Sequence, residues 1–335
     1  MYNVVVTDCD HGELDQEREE LRGIAVLSVA QCGDEDAVIE AGRDADALIV
    51  QYAPISRRVA QSLPKCRVIA RYGVGIDMID LNAASECGIC VAHVPAYCTE
   101  EVSDHACALM LALARKTVSL HRSVLGGRWD PKVAGPMYPL AGSTLGLLGL
   151  GRIGRRVAQK MKVFGMRVIA CDPFLADAEF TRHGVSKVDM PQLLAESDIL
   201  SLHAPLTPLT DHILGAAAFA AMKRGAFIVN TARGRLIDEQ ALVRSLREGG
   251  LGGSGLDVVE SEPLGKDSPL LGFENVIVTP HAAFYSERSF EEVKRQTARA
   301  VSHILQGKQA APTDGYAIAN LNDLRRAGYS FPGRE

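Results

Sequence analysis

The stretch STLGLLGLGRIGRRVAQKMKVFGMRVIACDP, residues 143–173, constrains the fold of this chain more than any other segment. An apolar strand pattern runs directly into Gly149, Gly151 and Gly154, and a helical pattern follows the glycines. A second apolar run then ends at Asp172, 18 residues after Gly154. Strand, glycine loop, helix, strand and acid in this order are typical of a βαβ unit that binds a dinucleotide.

Each residue of this glycine loop has its own physical reason. Gly149 permits a tight turn, Gly151 lets a pyrophosphate approach the backbone, and Gly154 lets the helix pack closely on the strand. The helix start at Arg152 and Ile153 presents N–H groups and the positive end of the helix dipole to phosphates. The loop is therefore predicted to bind a cofactor.

The acid at the end of the second strand selects among dinucleotides. Asp172 would accept hydrogen bonds from the adenosine ribose hydroxyls and repel a 2′-phosphate, which favours NAD over NADP. The alternative is a glycine-rich turn in a doubly wound fold that binds no nucleotide. The complete strand, helix, strand and acid context argues against that alternative.

The rest of the chain alternates short apolar runs with helical patterns. The strand patterns are NVVVTD, IAVLSV, ALIVQY, RVIARY, ICVAHV, TLGLLGL, MRVIACD, DILSLHAP, AFIVNTARG, GGSGLDVVE and VIVTPHA. Continuous apolar strands separated by helices indicate parallel sheets covered on both faces. A length of 335 residues suits about two domains. Residues 286–308 form one further amphipathic helical pattern that could return to the first unit, and 311–335 stay unassigned.

A long helical pattern separates the two series of strands. It covers residues 98–127 and contains neither glycine nor proline before Gly126. Thr99 is predicted as its N-cap. Glu100 and Glu101 follow in the first turn, where their negative charges interact favourably with the positive end of the helix dipole. A helix this long would cross between two units or lie at a subunit contact.

Composition excludes several classes of protein. The formal charge is −5 without a charged tail, so nothing indicates binding to nucleic acid or to an anionic membrane. The N-terminus lacks a signal-peptide pattern, and no run reaches the roughly 18 apolar residues of a membrane span. Eight scattered cysteines then predict reduced thiols and a cytoplasmic location. Cys87 and Cys90 form a C-x-x-C, but no second pair follows for zinc, so a glycine turn into a buried strand is the preferred interpretation.

Three polar residues follow strand patterns of the second series, at the strand ends where open α/β sheets place function. Arg233 follows FIVNTA, Glu262 lies in LDVVESEP, and His281 follows VIVTP. Arginine can bind a carboxylate through two hydrogen bonds, and histidine can exchange a proton near neutral pH. A glutamate hydrogen-bonded to the imidazole would favour its protonated form. Each residue alone could be a surface ion pair, a solvated loop residue or a helix cap, but together they indicate an active site.

Four ordered motifs, LGLGRIGRRVA, NTARGRLIDEQAL, GLDVVESEP and TPHAA, resemble the D-2-hydroxyacid dehydrogenase family over residues 45–305. PHAAFYSE and VPAYCTEEVSD are most similar to its C-terminal-binding-protein branch, which includes NAD-linked enzymes and animal corepressors. The resemblance implies an α/β fold of two doubly wound, Rossmann-like or flavodoxin-like parallel-sheet domains with the active-site cleft between them. Residues 1–101 with 290–335 would bind the substrate and 102–289 the NAD. A homodimer through the 99–140 region is also implied.

The resemblance assigns roles to the three polar residues. Arg233 would bind the carboxylate and carbonyl of a 2-oxo acid, His281 would be the acid/base, and Glu262 would support His281. The activity implied is NAD-dependent interconversion of a small 2-oxo acid and its D-2-hydroxy acid, without a metal. Formate enzymes generally pair the histidine with glutamine, so Glu262 argues against formate or phosphite oxidation. The intact set argues against a second alternative, an NAD(H)-sensing protein that binds peptides.

Further site residues are implied by the same resemblance. Asp257 would meet the nicotinamide carboxamide, and His203 would lie beside the adenine end. The other cofactor-binding residues implied are Thr231 and Ala232. The substrate-binding residues implied are Arg71, Val74, Gly75 and Phe284, of which Val74 and Gly75 would supply backbone N–H groups.

Two positions depart from related patterns. The corepressor branch carries a tryptophan where this chain has Phe284, which leaves the shape of the substrate pocket open. Phosphoglycerate dehydrogenases tend to carry an arginine for the phosphate at the place of Gln51, which argues against phosphoglycerate as substrate.

Overall fold

The structure is a computed structural model that describes residues 1–10, 12–308, 310–311 and 313–329. The chain divides into two compact units, Met1–Tyr97 with Ser286–Glu335 (unit 1) and Cys98–Tyr285 (unit 2). Each unit has its own sheet of mainly parallel strands, which confirms the predicted α/β class with two doubly wound domains. The assignment of substrate to one unit, and the exact domain boundaries, stay predictions.

Among its described residues, unit 1 has six strands in the order β13-β5-β4-β3-β1-β2, numbered along the whole chain. All pair in parallel except β13, which is antiparallel to β5. The strands are β1 (Tyr2–Val6), β2 (Ala25–Val29), β3 (Ala47–Val50), β4 (Val68–Arg71), β5 (Cys90–His93) and β13 (Ala317–Ile318). The helices are α1 (Asp15–Glu20), α2 (Glu35–Gly42), α3 (Arg57–Gln61), α4 (Leu81–Glu86), α12 (Glu287–Leu305) and α13 (Leu321–Arg326). As expected, α12 is one amphipathic helix that packs within this unit, on α1 and β4.

Unit 2 has seven parallel strands in the order β12-β11-β10-β9-β6-β7-β8. The strands are β6 (Thr144–Leu148), β7 (Arg167–Cys171), β8 (Ser186–Lys187), β9 (Ile199–Leu202), β10 (Ala226–Asn230), β11 (Leu251–Leu256) and β12 (Val276–Val278). The helices are α5 (Thr99–Arg115), α6 (Thr117–Leu125), α7 (Arg152–Val163), α8 (Asp177–Arg182), α9 (Met190–Glu196), α10 (Ala216–Ala221) and α11 (Glu239–Arg247). Three short 3-10 helices cover Pro131–Ala134, Gly234–Leu236 and Pro269–Gly272.

All eleven strand patterns of the sequence contain a strand, and the central ones are buried on both faces. Every residue of β3, β4, β6 and β9 is buried, as expected for strands covered by helices on each side. The C-x-x-C segment also forms a turn into a buried strand: Gly88 has φ +72° and Cys90 begins β5. No helix in the described part of the chain is long and apolar enough to cross a membrane.

The prediction of one long helix over residues 98–127 is wrong. The chain forms α5 and α6 instead, separated by Lys116 in the left-handed conformation (φ 51°). The Lys116 ammonium group donates a hydrogen bond to the carbonyl of Ala134, a contact far along the chain that local sequence does not reveal. Thr99 is the first helical residue rather than the N-cap, since Cys98 occupies that position without a side-chain cap.

A buried carboxyl group ties α1 to the end of β4. Glu17 is fully buried, and its Oε1 accepts a hydrogen bond of 2.6 Å from the Tyr72 hydroxyl. Burial raises the pKa of Glu17, and the hydrogen bond from Tyr72 only partly opposes that shift. Tyr72 directly follows β4, so this pair fixes the start of the loop that contains Gly73.

Candidate active site

The glycine loop of unit 2 follows β6 and has little room for side chains at two of its three glycines. Gly149 has φ +95°, and a Cβ there would lie 2.8 Å from the carbonyl oxygen of His203. A Cβ at Gly154 would lie 2.5 Å from the carbonyl oxygen of Gly149, so only glycine allows α7 to pack this closely. A Cβ at Gly151 would meet no atom within 4 Å, so space beside its backbone remains open for a ligand.

The surroundings of this loop fit a dinucleotide. Gly151 is the N-cap of α7 and has no side chain to occupy the first N–H groups of the helix, which can therefore bind phosphate. Asp172 is held beside the loop, because its Oδ2 accepts from the Leu150 N–H (2.9 Å) and its Oδ1 from the Phe174 N–H (3.1 Å). A carboxylate has about four acceptor sites, so sites remain for ribose hydroxyls.

Two further residues predicted near the cofactor have distinct environments. The Thr231 hydroxyl is buried and makes no hydrogen bond to any residue that the structure describes, which fits a donor or acceptor reserved for a ligand. His203 follows β9, and its Nε2 lies 3.0 Å from the Ser201 hydroxyl. Burial lowers the pKa of His203 to about 4, so this ring is neutral at neutral pH.

His281 and Glu262 form a hydrogen-bonded pair. The Nδ1 of His281 lies 2.7 Å from Oε2 of Glu262, and the other oxygen, Oε1, accepts from the Val259 N–H (3.1 Å). Burial by itself raises the pKa of Glu262. The hydrogen bond and charge of His281, the Val259 N–H and the charge of Arg233 outweigh it, so the pKa is lowered. Glu262 is therefore ionised at neutral pH, and the Nε2 of His281 is the ring atom left to exchange a proton with a ligand.

Arg233 lies in the loop after β10, which the Asn230 side chain braces. The amide nitrogen of Asn230 donates to the Arg233 carbonyl (2.8 Å), and its oxygen accepts from the Ala232 N–H (3.0 Å). A Cβ at Gly234 would lie 1.9 Å from the Val259 carbonyl oxygen, so this loop packs directly on the segment that leads to Glu262. The structure thus brings the three predicted catalytic residues together in one unit.

Phe284 lies beside the imidazole of His281. The two rings meet edge to face, with their centroids 6.3 Å apart. The residue predicted to shape the substrate pocket is therefore next to the predicted acid/base.

The carboxylate of Asp257 accepts several hydrogen bonds from this chain. It is 2% exposed and accepts hydrogen bonds from the Thr279 hydroxyl (2.6 Å) and the N–H groups of Ala282 (2.8 Å) and Ala283 (2.9 Å). Its role at the nicotinamide stays a prediction. The Thr279 hydroxyl lies 2.9 Å from Nε2 of His105. The sequence analysis did not predict these two residues, because 174 positions separate them and no local pattern pairs them.

The predicted substrate-binding residues of unit 1 lie in the loop after β4. Gly73 has φ +128°, and a Cβ there would fall 1.8 Å from Nη1 of Arg71, a side chain that is itself buried. The carbonyl of Val74 accepts a hydrogen bond of 2.8 Å from Nδ1 of His93. The roles of Arg71, Val74 and Gly75 in substrate binding stay predictions.

Comparison with known proteins identifies the class of protein that this fold and site define, an NAD-binding oxidoreductase. Residues 107–283 match the family described as D-isomer specific 2-hydroxyacid dehydrogenase, NAD binding domain. A glyoxylate reductase of Korarchaeum cryptofilum is 42% identical over 277 residues, which cover 81% of this chain and 83% of that protein. This chain therefore belongs to the D-isomer-specific 2-hydroxyacid dehydrogenase family.

Two other known proteins match nearly the whole of this chain. A D-3-phosphoglycerate dehydrogenase of Methanocaldococcus jannaschii is 39% identical over 92% of this chain, which spans only 59% of that protein's length. The structure of D-lactate dehydrogenase from Aquifex aeolicus, complexed with NAD and lactic acid, superposes with a TM-score of 0.82. That match has 29% identity and covers 99% of this chain and all of the other.

These matches confirm the predicted enzyme class and cofactor. The chain is an NAD-dependent 2-hydroxyacid dehydrogenase, and NAD is its cofactor. The curated relatives named above are a glyoxylate reductase and a D-3-phosphoglycerate dehydrogenase, so the predicted closeness to the C-terminal-binding-protein branch stays a prediction.

Proposed function

We propose that this enzyme interconverts a small 2-oxo acid and its D-2-hydroxy acid, with Arg233, Glu262 and His281 as the catalytic residues. The observation that carries the proposal is the contact of 2.7 Å between His281 Nδ1 and an ionised Glu262, in the same unit as Arg233 and the glycine loop. Such a pair is suited to general acid/base catalysis, because the carboxylate orients the imidazole and stabilises its protonated form.

In the reductive direction, bound NADH supplies a hydride to the carbonyl carbon. The guanidinium group of Arg233 binds the substrate carboxylate through its planar fork. The Nε2 of His281 donates its proton to the developing alkoxide oxygen, while Glu262 holds Nδ1. In the oxidative direction the same Nε2 removes the proton of the hydroxyl group.

The direct test is His281→Ala. We expect kcat for 2-oxo acid reduction to fall by about 10²–10⁴-fold, the usual contribution of general acid catalysis. NADH affinity should change little, because the imidazole is assigned to the substrate. His183→Ala is the matched control, since that histidine is similarly exposed (30% against 32%) and is the C-cap of α8, away from the pair. Equal reduction by His281→Ala and the parent enzyme would remove His281 from the mechanism.

Glu262→Gln separates charge from hydrogen bonding. Glutamine keeps an oxygen near Nδ1 of His281 but removes the negative charge that stabilises the imidazolium. The pH at which reductive activity declines should therefore move to lower values. The double variant of both residues should lose less than the product of the single losses, because the pair acts as one unit.

The proposed substrate class rests on the activities named for the relatives and on the three polar residues Arg233, Glu262 and His281. We propose 2-oxo acids with a small side chain, and NADH oxidation with glyoxylate, hydroxypyruvate and pyruvate tests this. Absence of turnover with all three, together with a stoichiometric peptide partner in a pull-down, would favour the NAD(H)-sensing alternative instead. Activity with 3-phosphohydroxypyruvate above that with glyoxylate would show that Gln51 does not exclude the phosphate.

We also propose a homodimer formed through the 99–140 region. Five large apolar side chains are exposed there, of which Leu125 (73%), Trp129 (88%) and Tyr138 (77%) are the most exposed, and such patches mark protein contacts. Trp129→Arg should yield monomers by light scattering, whereas Leu209→Arg, at a comparably exposed leucine (84%) outside the region, should not. A cytoplasmic location remains part of this proposal.

A further inference from the structure

The catalytic histidine has an unusual backbone conformation that its surroundings must maintain. His281 has φ +50°, in the left-handed region where a residue other than glycine persists only when its contacts determine it. Its N–H donates to the carbonyls of Asp257 (2.8 Å) and Thr279 (3.0 Å). The next two N–H groups, of Ala282 and Ala283, donate to the Asp257 carboxylate. Three consecutive N–H groups of this turn therefore bind one residue, Asp257.

The position of that carboxylate is itself fixed by a chain of hydrogen bonds. Asp257 is almost fully buried, and its Oδ1 accepts the only proton of the Thr279 hydroxyl. The Thr279 oxygen must then accept its second hydrogen bond, at 2.9 Å, from Nε2–H of His105. The same Nε2 lies 3.5 Å from Oδ1 of Asp257. His105 belongs to α5, so this helix is connected to the turn of His281 by a continuous polar chain.

We propose that His105 is a positioning residue for the reaction, acting on His281 through Thr279 and Asp257. This inference rests on the proposed role of His281 as the acid/base. The N–H of His105 orients the Thr279 hydroxyl towards Asp257, and the oriented carboxylate holds the turn that directs the imidazole. His105 touches neither the hydride donor nor the reacting carbonyl in this scheme, so its loss lowers kcat without removing the acid.

The matched test is His105→Met against His105→Gln. Both side chains have the same length and similar shape, but only glutamine has an N–H group where Nε2 of histidine donates. We expect His105→Met to reduce kcat about tenfold, the effect of losing one buried hydrogen bond, and His105→Gln to restore most of it. The KM for glyoxylate and the NADH dissociation constant should both stay within about twofold of the parent values. A parallel pair, Thr279→Val against Thr279→Ser, should give the same pattern.

A second arm distinguishes positioning from general destabilisation. In the His281→Ala background, His105→Met should cause no further loss of the residual rate, because there is no imidazole left to direct. If His105→Met lowers the residual rate and the parent rate by the same factor, or if it matches His105→Gln in kcat, the inference is wrong. If His281→Ala itself has no effect, the proposed function fails instead.

Discussion

Each unit has a glycine loop directly after a buried parallel strand, and the two loops lead into different elements. In unit 2, Gly149 turns the chain with φ +95° after β6, and α7 begins at Arg152. In unit 1, Gly73 turns it with φ +128° after β4, but the next helix, α4, begins only at Leu81. One loop therefore presents a helix N-terminus and the other does not.

The neighbours of the two loops differ as well. The atoms that would collide with a side chain at Gly149 belong to the backbone after β9, whereas at Gly73 they belong to the guanidinium group of Arg71. A helix N-terminus with an acid beside it suits a pyrophosphate and a ribose. A loop against which an arginine lies suits a small carboxylate. The two loops differ in the elements that follow their glycines, so glycine spacing alone does not specify a ligand.

The largest expected effect comes from placing alanine at both turns. At Gly149 the colliding atoms belong to the backbone and cannot move aside. Gly149→Ala should therefore lower the melting temperature and weaken NADH binding by more than about tenfold. At Gly73 a φ of +128° also strains an alanine, but the colliding atoms belong to the flexible end of the Arg71 side chain, so Gly73→Ala should lower the melting temperature less, raise KM for the 2-oxo acid and leave NADH affinity unchanged. Fluorescence titration with NADH and steady-state kinetics measure both. The reverse pattern would contradict the assignment of the two loops.

Gly151→Ala tests whether the open space in the glycine loop of unit 2 holds the pyrophosphate. No protein atom lies near the position of the added methyl group, so the melting temperature without NADH should not change. NADH affinity should fall by about tenfold, because the methyl group occupies space needed by the pyrophosphate. Gly272→Ala is the control, since that glycine is equally open but remote from the loop, and it should alter neither quantity. Unchanged NADH binding in Gly151→Ala would place the phosphates elsewhere.

An effect of similar size, on cofactor choice rather than on NADH affinity, is expected at Asp172, the acid beside the glycine loop of unit 2. Asp172→Ser should narrow the preference for NAD over NADP in kcat/KM by about tenfold, because a 2′-phosphate would no longer face a carboxylate. Asp172→Asn keeps an oxygen that can accept from the Leu150 N–H. Loss of local structure should therefore contribute less to its change in the preference for NAD over NADP. A parent enzyme that uses NADP as well as NAD would show that the ribose contact is misplaced.

The smallest effect is on the stability of unit 2 at low pH, through the buried imidazole of His203. The pKa of His203 in the folded state is about 4, below the ordinary 6.5. Between these two pH values the unfolded chain binds a proton at His203 and the folded unit does not. The stability of unit 2 should therefore fall as pH drops from 6.5 towards 4. His203→Gln should show a smaller difference in melting temperature between pH 7 and pH 5 than the parent does. An identical difference in both proteins would mean that His203 is protonated in the folded state.

Local patterns were sufficient to predict most of the fold. The strands were predicted because burial on two faces requires continuous apolar runs, and the glycine loop because its turn, helix and acid are adjacent in sequence. Arg233, Glu262 and His281 were predicted because each follows a strand pattern. Both sets of predictions depend on patterns that can be identified along the sequence without knowing which distant segments come into contact.

The features that the sequence did not reveal depend on contacts between distant segments. Lys116 breaks the helical pattern through a left-handed backbone that no local residue type requires. The two-residue strand β13 exists only because it pairs with β5. His105 and Thr279 meet because α5 packs on β11, the strand that pairs with β12 just before Thr279. Such features depend on tertiary packing and have no periodicity of their own.

The buried carboxyl of Glu17 has a consequence for the protons that this protein carries. Its pKa in the folded state is raised above the ordinary value of 4.5, so the stability it confers is complete below that pH and is lost as pH rises through the folded pKa. Just above pH 4.5, unfolding of unit 1 should therefore release a proton into the solvent. In the same interval, unfolding of unit 2 should take one up at His203. The dependence of the heat of unfolding on the ionisation enthalpy of the buffer reports the net number of protons exchanged, and Glu17→Gln should shift that number towards proton uptake.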